Sequence, residues 1–271
     1  MKENDPINIL SVPINWLICK FVNLYSNFFV LYYMEEYDLT ILLIAYNEEN
    51  FLENCVEKVI QTITPLDLKY EIVIVENGST DDTFQIAKKL SNKSPFIVAV
   101  HLEKASGTNA MRKGYSIARG KIVANLDVDL STNMSHFKEL IEYTKDYDVV
   151  TGSRYLDPSM VKRTLDRHYL SLVYNSIFIR GLLGSKILDN GCGFRAVKRE
   201  IGKELYDKIK DDGFFGPNEF LLRAQRKGYT IKEFPVRWTE NYRRVGPWEI
   251  FVTYIVPVTK LWISFTFKKN Q

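Results

Sequence analysis

Short apolar runs alternate along this chain with segments whose apolar residues recur at helical spacing, and this alternation restricts the fold more than any other feature. The runs predict strands at Thr40–Ala45, Glu71–Val75, Ile97–Leu102, Ile122–Leu126 and Val149–Gly152. The segments between and after them predict helices at Glu49–Thr62, Asp81–Leu90, Asn109–Ala118 and His136–Thr144. Repeated strand–helix–strand units give a mostly parallel sheet with helices on both faces. We therefore predict an α/β domain over residues 38–244.

Two acidic residues end the central predicted strand. Asp127 and Asp129 follow Ile122–Leu126, and residues two apart on an extended segment point the same way. Both carboxylates are therefore expected at the carboxyl edge of the sheet, where open α/β sheets bind ligands. Two close carboxylates repel each other unless a cation lies between them, and their oxygens suit Mg²⁺ or Mn²⁺. Asp127 and Asp129 are candidate metal ligands; a solvated turn is the alternative.

Two further polar turns follow predicted strands at the same edge. They are Ala45–Glu49 and Glu76–Asp82. In the second, Gly78 permits a tight turn, and Ser79 or Thr80 is a candidate cap for the next helix. A carboxylate at Glu48 or Glu76 has the chemistry to bind ribose hydroxyls or base edges, and the helix starts favour phosphate. A capped turn without any ligand is the alternative.

The composition argues against several classes of protein. A net charge of +3 over 271 residues gives no broad footprint for nucleic acid. The cysteines Cys19, Cys55 and Cys192 are scattered and odd in number, which indicates neither a metal site nor a disulfide framework. They favour a reducing, cytosolic setting. The first five residues lack the basic run that begins a secretory signal.

Both ends of the chain carry long apolar and aromatic stretches. Ile7–Met34 contains Lys20, and Trp248–Phe267 contains Lys260 and Pro257, which we expect to break a helix. Each approaches the about 20 residues of a membrane span, yet each has a central lysine. We predict amphipathic helices in the membrane interface, over residues 1–37 and 245–271. Packing on the domain or on another copy, as a homo-oligomer, is the alternative; a true span is the third.

Four motifs occur in a fixed order: Tyr46–Glu48, Glu76–Asp81, Asp127–Asp129 and Gly152–Tyr155. Farther along come Arg163 and Arg167, then Ser171 and Asn175, then Asp189–Arg195, Asn218–Phe220 and Glu233–Trp238. This ordered set resembles family 2 glycosyltransferases with the GT-A fold, and within them the polyprenyl-phosphate hexosyltransferases. These are the dolichyl-phosphate mannose and glucose synthases. Ile44, Glu76-Asn77, Ser106–Thr108 and Ser131 depart from the family pattern, which bears on the nucleobase and the sugar.

The resemblance implies inverting transfer of a hexose from GDP-mannose or UDP-glucose to a polyprenyl (dolichyl) phosphate, at the cytoplasmic face of a membrane. It implies Mg²⁺ or Mn²⁺ as cofactor, held by Asp127 and Asp129. The implied catalytic residues are Asp127, Asp129, Arg154 and Arg167. The implied donor-binding residues are Ala45, Tyr46, Glu48, Glu76, Gly78, Ser79 and Asp127. The implied acceptor-binding residues are Arg154, Arg163, Arg167, Asp189, Glu219 and Arg243; on a helix, Arg163 and Arg167 would share a face.

A phosphate acceptor also fits the shortage of candidate bases. A phosphate monoester, with a second pKa near 6, is largely a dianion at neutral pH and needs cations rather than a base. His101, His136 and His168 are isolated in the sequence and are interpreted as structural or surface residues. Two alternatives stay open. One is a family 2 transferase that extends a glycan or glycolipid with Asp189 or Glu219 as base, and the other is a catalytically silent membrane partner subunit.

Overall fold

The computed structural model describes residues 37–210, 212–213, 215–240 and 247–267. The strands are β1 Tyr37–Ala45, β2 Tyr70–Glu76, β3 Ile97–His101, β4 Gly120–Leu126, β5 Val149–Ser153, β6 Val161–Lys162, β7 Arg195–Lys198, β8 Ile231–Pro235 and β9 Trp238–Thr239. The α-helices are α1 Leu52–Ile63, α2 Thr83–Lys93, α3 Gly107–Ile117, α4 Phe137–Tyr143, α5 Leu165–Val173, α6 Arg199–Lys208, α7 Gly216–Arg226 and α8 Pro247–Phe267. A π-helix, Tyr174–Leu182, continues α5. Short 3₁₀ turns lie at Thr64–Leu66, Met134–His136 and Pro158–Met160.

Seven strands form the main sheet, in the order β3-β2-β1-β4-β7-β5-β8. Strand β7 runs antiparallel to β4 and β5, and the other neighbours are parallel. The predicted mostly parallel sheet is confirmed, and the five predicted strands differ from β1–β5 by a few residues at their ends. Strands β6 and β9 form a separate two-stranded parallel sheet.

Helices cover both faces of the main sheet, as predicted. On one face Ile41 and Leu43 of β1 belong to a buried cluster that includes Phe137 and residues of α1 and α2. On the other face Leu42 belongs to a second cluster that includes Tyr115 and residues of α6 and α7. Strands buried on both faces have continuous apolar sequences instead of alternating ones, which explains the apolar runs that predicted them.

The C-terminal helix α8 runs without interruption through Pro257, so the expected break there is wrong. A proline inside a helix removes one backbone hydrogen bond but need only kink the helix. Val258 and Leu261 are buried in a small cluster with Ile179 of the π-helix. None of the helices described here is long and apolar enough to cross a membrane. Residues 1–36 lie outside the described residues, and the division at 37 and 244 stays a prediction.

Candidate active site

The two acids after β4 lie at the carboxyl edge of the sheet, in a tightly held turn. The Ser131 N–H and hydroxyl donate to the Asp129 carboxylate, over 3.0 Å to Oδ1 and 2.7 Å to Oδ2. Leu130, between them, has a φ of +52°, a left-handed conformation that costs about 1–3 kcal/mol in a residue with a side chain. The turn therefore fixes the direction of the Asp129 side chain at the expense of local strain.

Asp127 carries a perturbed carboxyl group. The Asp127 side chain is exposed at the surface, but the protein around it limits the hydration of its carboxylate. This desolvation is the largest cause that raises its pKa to about 6, and the nearby Asp129 charge is the second. Arg154 and Arg195 act in the opposite direction. A Cβ added at Gly193 would collide with the Asp127 carboxylate, so only glycine lets this backbone lie so close.

The donor set at this turn fits a hard divalent cation. Two carboxylates held this close repel each other, and a cation that binds between them relieves the repulsion. In the described part of the chain no group of three or more His, Cys, Asp or Glu side chains could hold a metal. Mg²⁺ in proteins commonly binds one or two carboxylates together with substrate phosphates and water, and the pair Asp127 and Asp129 matches that number.

The turns after β1 and β2 are bound to each other. Asn47, in a left-handed conformation with φ +54°, donates its N–H to Ser79 Oγ over 3.0 Å and accepts from the Thr80 N–H over 2.9 Å. The sequence predicted Ser79 or Thr80 as the cap of α2, and this prediction is wrong. Helix α2 begins only at Thr83, whose N–H donates to Asp81 Oδ1 over 3.0 Å.

The structure brings the predicted donor-binding residues together at the ends of three neighbouring strands. Ala45 pairs in register with Glu76, and β4, which precedes Asp127, lies on the other side of β1. Glu48 and Glu76 are both buried. Gly78 has a φ of +71°, and a Cβ there would lie 2.9 Å from a backbone nitrogen of the loop after β3, so glycine is required.

Arg154, just after β5, is locked to Asp189. Its Nε and Nη2 donate to Asp189 Oδ2 and Oδ1, each over 2.7 Å, and its backbone N–H donates to Oδ2 over 2.9 Å. Asp189 is fully buried. Burial alone would raise its pKa, but Arg154 and its hydrogen bonds hold the pKa below the usual value. Asp189 is thus the ionised partner of Arg154.

Arg163 lies beside Arg154 and Trp238. The pairing of β6 with β9 brings it there, and both guanidinium carbons lie about 5.5 Å from the Trp238 ring centroid (5.4 Å for Arg154, 5.5 Å for Arg163). Burial and then the Arg154 charge lower the pKa of Arg163. Its Nε and Nη1 are buried and have no hydrogen-bond partner among the described residues.

Arg163 precedes α5 and is not on the helix, so the expected helical face shared with Arg167 is wrong. The side chain of Arg167 and the whole of Arg243 lie outside what the structure describes. Glu219, in the first turn of α7, is buried and accepts from Arg223 Nε over 2.6 Å. The roles predicted for these four residues stay predictions.

Three residues to which the sequence reasoning gave no role prove central. Arg195 is buried and donates to the carbonyls of Asn190, Cys192 and Pro217 over 3.1–3.4 Å, which fixes the loop beside Asp127. Arg195 and Trp238 are the last residues of the motifs Asp189–Arg195 and Glu233–Trp238, so the sequence contained a signal for both. The third, His101, looked isolated but pairs with Glu76.

Other groups in and near the site are inert. His136 Nε2 accepts from the backbone N–H of Arg237 over 3.0 Å, which agrees with its structural interpretation. Cys55 and Cys192 are free, buried thiols, and burial raises the pKa of each to about 12. Neither thiol is a nucleophile at neutral pH.

Comparison with known proteins identifies the family. A model of "Glycosyl transferase family 2" matches residues 40–206. Glycosyltransferase AglD of Haloferax volcanii is 35% identical over 207 residues, 74% of this chain and 33% of that protein. A dolichyl-phosphate beta-glucosyltransferase of Dictyostelium discoideum is 29% identical over 218 residues, 74% of this chain and 66% of that enzyme. The chain thus spans a third of the first relative's length and just under two thirds of the second's.

Two solved structures have the same fold. Glucosyl-3-phosphoglycerate synthase of Mycobacterium tuberculosis, in complex with Mn²⁺, UDP-glucose and phosphoglyceric acid, has a TM-score of 0.60 at 18% identity, over 84% of this chain and 79% of that one. A mannosyltransferase of Pyrobaculum calidifontis, in complex with GDP-mannose and Mn²⁺, has a TM-score of 0.57 at 18% identity, over 90% and 74%. With its GT-A type α/β fold and the family model covering more than half of its length, this chain belongs to glycosyl transferase family 2.

Proposed function

We propose that this chain is an inverting hexosyltransferase that moves a hexose from a nucleotide-diphosphate sugar to a polyprenyl phosphate. An oxygen of the acceptor phosphate forms a bond to the anomeric carbon while the bond from that carbon to the donor diphosphate breaks. Relatives named as dolichyl-phosphate beta-glucosyltransferases support this acceptor class and favour glucose. Proteins of the same fold hold UDP-glucose or GDP-mannose, which makes these the first donors to test.

The observation that carries the proposal is the buried, unpartnered N–H pair of Arg163 beside Arg154. The Arg163 side chain is hydrogen-bonded to Tyr155, but its two buried N–H groups at Nε and Nη1 lack acceptors, which is costly. A phosphate would supply the missing acceptors with charge-assisted hydrogen bonds. Arg154 acts electrostatically on Asp127, so this cationic corner adjoins the acidic turn. A phosphate bound there would lie next to the place where a donor diphosphate would leave.

The carboxylates that could serve as a base for a sugar hydroxyl are already engaged. Asp189 is paired with Arg154 and has a lowered pKa, and Glu219 is paired with Arg223. A carboxylate held by an arginine in this way is a weak proton acceptor. This favours a phosphate acceptor, which needs no base, over a glycan acceptor.

Asp127 and Asp129 would hold Mg²⁺ or Mn²⁺, which when bound supplies a Lewis acid for the negative charge of the leaving diphosphate. Ser131 orients Asp129 for this role, and the bare backbone at Gly193 lies against Asp127. Arg154, oriented by Asp189, contributes a fixed positive charge on the acceptor side.

A membrane surface, on its cytoplasmic face, completes the proposal. Four apolar side chains at four-residue spacing, 48–74% exposed, form what we call the apolar stripe: Leu165, Tyr169, Val173 and Ile177. The stripe begins two residues after Arg163, so a lipid phosphate at Arg163 would have its chain beside it. The free thiols support a reducing compartment.

Ile177→Glu should weaken co-sedimentation of the protein with vesicles, whereas Gln61→Glu, an exposed change on α1, should not. Equal binding of both variants would refute the membrane role.

The central experiment measures transfer of radiolabel from UDP-glucose and from GDP-mannose into solvent-extractable lipid. Vesicles with polyprenyl phosphate and either Mg²⁺ or Mn²⁺ supply the acceptor and the cation. We expect metal-dependent label in the lipid from one donor, with inverted anomeric configuration by NMR. Asp129→Asn is the inactive control.

The same assay tests both alternatives. Label in a saccharide or glycolipid product and none in polyprenyl phosphate would overturn the proposal in favour of a glycan-extending transferase. Neither turnover nor metal-dependent nucleotide binding would overturn it in favour of the silent partner subunit.

A further inference from the structure

Glu76, the acidic residue at the end of β2, has both carboxylate oxygens hydrogen-bonded within the protein. It is fully buried, its Oε1 accepts from the Ser79 N–H over 2.6 Å, and its Oε2 is hydrogen-bonded to His101 Nδ1. The two residues are direct neighbours, since β2 and β3 pair in parallel with Glu76 opposite His101. Both oxygens of the carboxylate are therefore used to hold the turn after β2 and the imidazole after β3.

His101 is the group that this arrangement presents outward. Its ring lies 4.6 Å from the Phe84 ring, tilted by 37°, and its side chain is 39% exposed. The contact of Glu76 Oε2 with Nδ1 favours the tautomer that carries its proton on Nδ1, and in that tautomer Nε2 is a hydrogen-bond acceptor. Nε2 has no partner in the described part of the chain. The result is one fixed acceptor on an aromatic platform, at the same sheet edge as Asp127.

We propose that His101, with its tautomer fixed by Glu76 and its ring supported by Phe84, binds the nucleobase of the donor and selects its type. The inference rests on the proposed function in that the donor is a nucleotide sugar. An acceptor at Nε2 matches a base edge that carries a ring N–H, as uracil does at N3 and guanine at N1. Cytosine and adenine have a lone pair at the corresponding nitrogen and would face Nε2 with a second acceptor. Glu76 then acts through His101 as a positioning residue.

Paired ligands isolate this hydrogen bond. UDP and CDP share their ribose and diphosphate and differ at N3 and C4 of the base, GDP and ADP serve as the purine pair, and pyrophosphate has no base at all. Calorimetric titration in the presence of Mg²⁺ or Mn²⁺ gives the dissociation constant of each. The wild-type chain should bind UDP more tightly than CDP, or GDP more tightly than ADP, by about tenfold, the change expected for one hydrogen bond.

Two substitutions separate direct contact from positioning. The His101→Asn side chain can still reach Glu76 but has no group at the place of Nε2, so the base preference should be lost. The His101→Gln side chain carries an amide oxygen near the place of Nε2 but gives up the link to Glu76, so part of the preference should remain. Pyrophosphate affinity should be unchanged in both, and His136→Asn, at a structural histidine, should keep the full preference.

The outcomes distinguish this inference from the proposed function. A wild-type chain that transfers hexose to lipid yet shows no base preference, or a His101→Asn chain that keeps it, overturns the role of His101 alone. An equal loss of pyrophosphate affinity in His101→Asn also overturns it, because the histidine would then act on the site as a whole. Absence of any nucleotide binding by the wild-type chain overturns the proposed function itself.

Discussion

The two halves of the candidate site are built differently. The half that we propose for the donor, called the donor half, consists of the turns after β1, β2 and β4, which backbone N–H groups hold by hydrogen bonds to Ser79, Asn47, Glu76 and Asp129. The half that we propose for the acceptor, called the acceptor half, consists of arginines held by side-chain contacts: Arg154 by Asp189, and both Arg154 and Arg163 near Trp238. The donor half is acidic and lies on the main sheet, whereas the acceptor half is basic and depends on the short pair β6–β9.

Because of this difference, the donor half is suited to holding charged groups in fixed positions, and the acceptor half is suited to an amphipathic ligand. Turns between buried parallel strands are held at several points, so the donor half can place two repelling carboxylates precisely enough for a cation. The acceptor half exposes an apolar stripe next to its arginines, which suits a ligand with an anionic head and an apolar chain. Substitutions in the two halves should therefore change different measured quantities.

The largest effect is expected in the donor half, from Asp129→Asn. The amide oxygen of the new side chain can still accept from Ser131, so the fold should be retained, but the charge for the cation is lost. Transfer should fall by about 10²–10³-fold, as is typical when one electrostatic group of a transition state is removed. Ser131→Ala, which keeps both carboxylates, is the matched control and should lose far less. Activity within about twofold of wild type for Asp129→Asn would refute the assignment.

The next effect is expected in the acceptor half, from Arg154→Lys. Lysine keeps the charge but cannot form the two parallel bonds to Asp189, which are worth about 1.5–3 kcal/mol each when charge-assisted. Transfer should fall by roughly 10–100-fold, and the melting temperature should fall as well. Arg199→Lys, at an arginine that pairs with the exposed Glu200 and donates to the Arg119 carbonyl, is the control and should leave transfer unchanged. Full activity of Arg154→Lys would show that the fork geometry is irrelevant.

A smaller effect should distinguish the two halves kinetically. Arg163→Ala should raise the KM for polyprenyl phosphate about tenfold, by loss of a charge-assisted hydrogen bond, and leave the KM for the nucleotide sugar unchanged. Lys162→Ala removes a neighbouring exposed charge and is the control. A parallel rise in the KM for the donor would contradict the division of the site into donor and acceptor halves.

The smallest effects concern stability against pH, where the two halves should respond oppositely. The folded pKa of Asp189 lies below its unfolded value of about 3.9, so its contribution is stabilising above that value and is lost as pH falls through the folded pKa. The folded pKa of Asp127, about 6, lies above its unfolded value, so its ionisation destabilises the fold increasingly as pH rises from about 4 to 6.

Thermal unfolding in the absence of divalent cations measures this contrast. At pH 7 Asp127→Asn should raise the melting temperature and Asp189→Asn should lower it, and both differences should shrink toward pH 3.5. Shifts of the same sign at pH 7 would show that the two carboxyl groups do not differ as the geometry indicates.

Much of the fold could be predicted because its signals are local. The apolar runs predicted β1–β5, because strands that are covered on both faces need no polar residues. The π-helix after α5 and the unbroken α8 had no such signal. Helix α8 continues through its proline, and its residues Val258 and Leu261 are packed with Ile179 of the π-helix. The ends of the elements depended on contacts such as those of Asn47 with Ser79 and Thr80, and the sequence placed the start of α2 too early.

Within the site, the sequence by itself determined that Asp127 and Asp129 lie together after a buried strand, because the alternation of side chains along a strand is fixed by backbone geometry. It also determined that the turns after β1 and β2 lie nearby, because parallel strands end at one edge. Only the tertiary structure decided which charges are paired. Asp189 meets Arg154 across 35 residues and Glu76 meets His101 across 25, and no local rule connects residues so far apart. The antiparallel insertion of β7 between β4 and β5 carries the loop from Asp189 to Arg195 to the edge beside Asp127, because strand order is set by packing of the whole sheet.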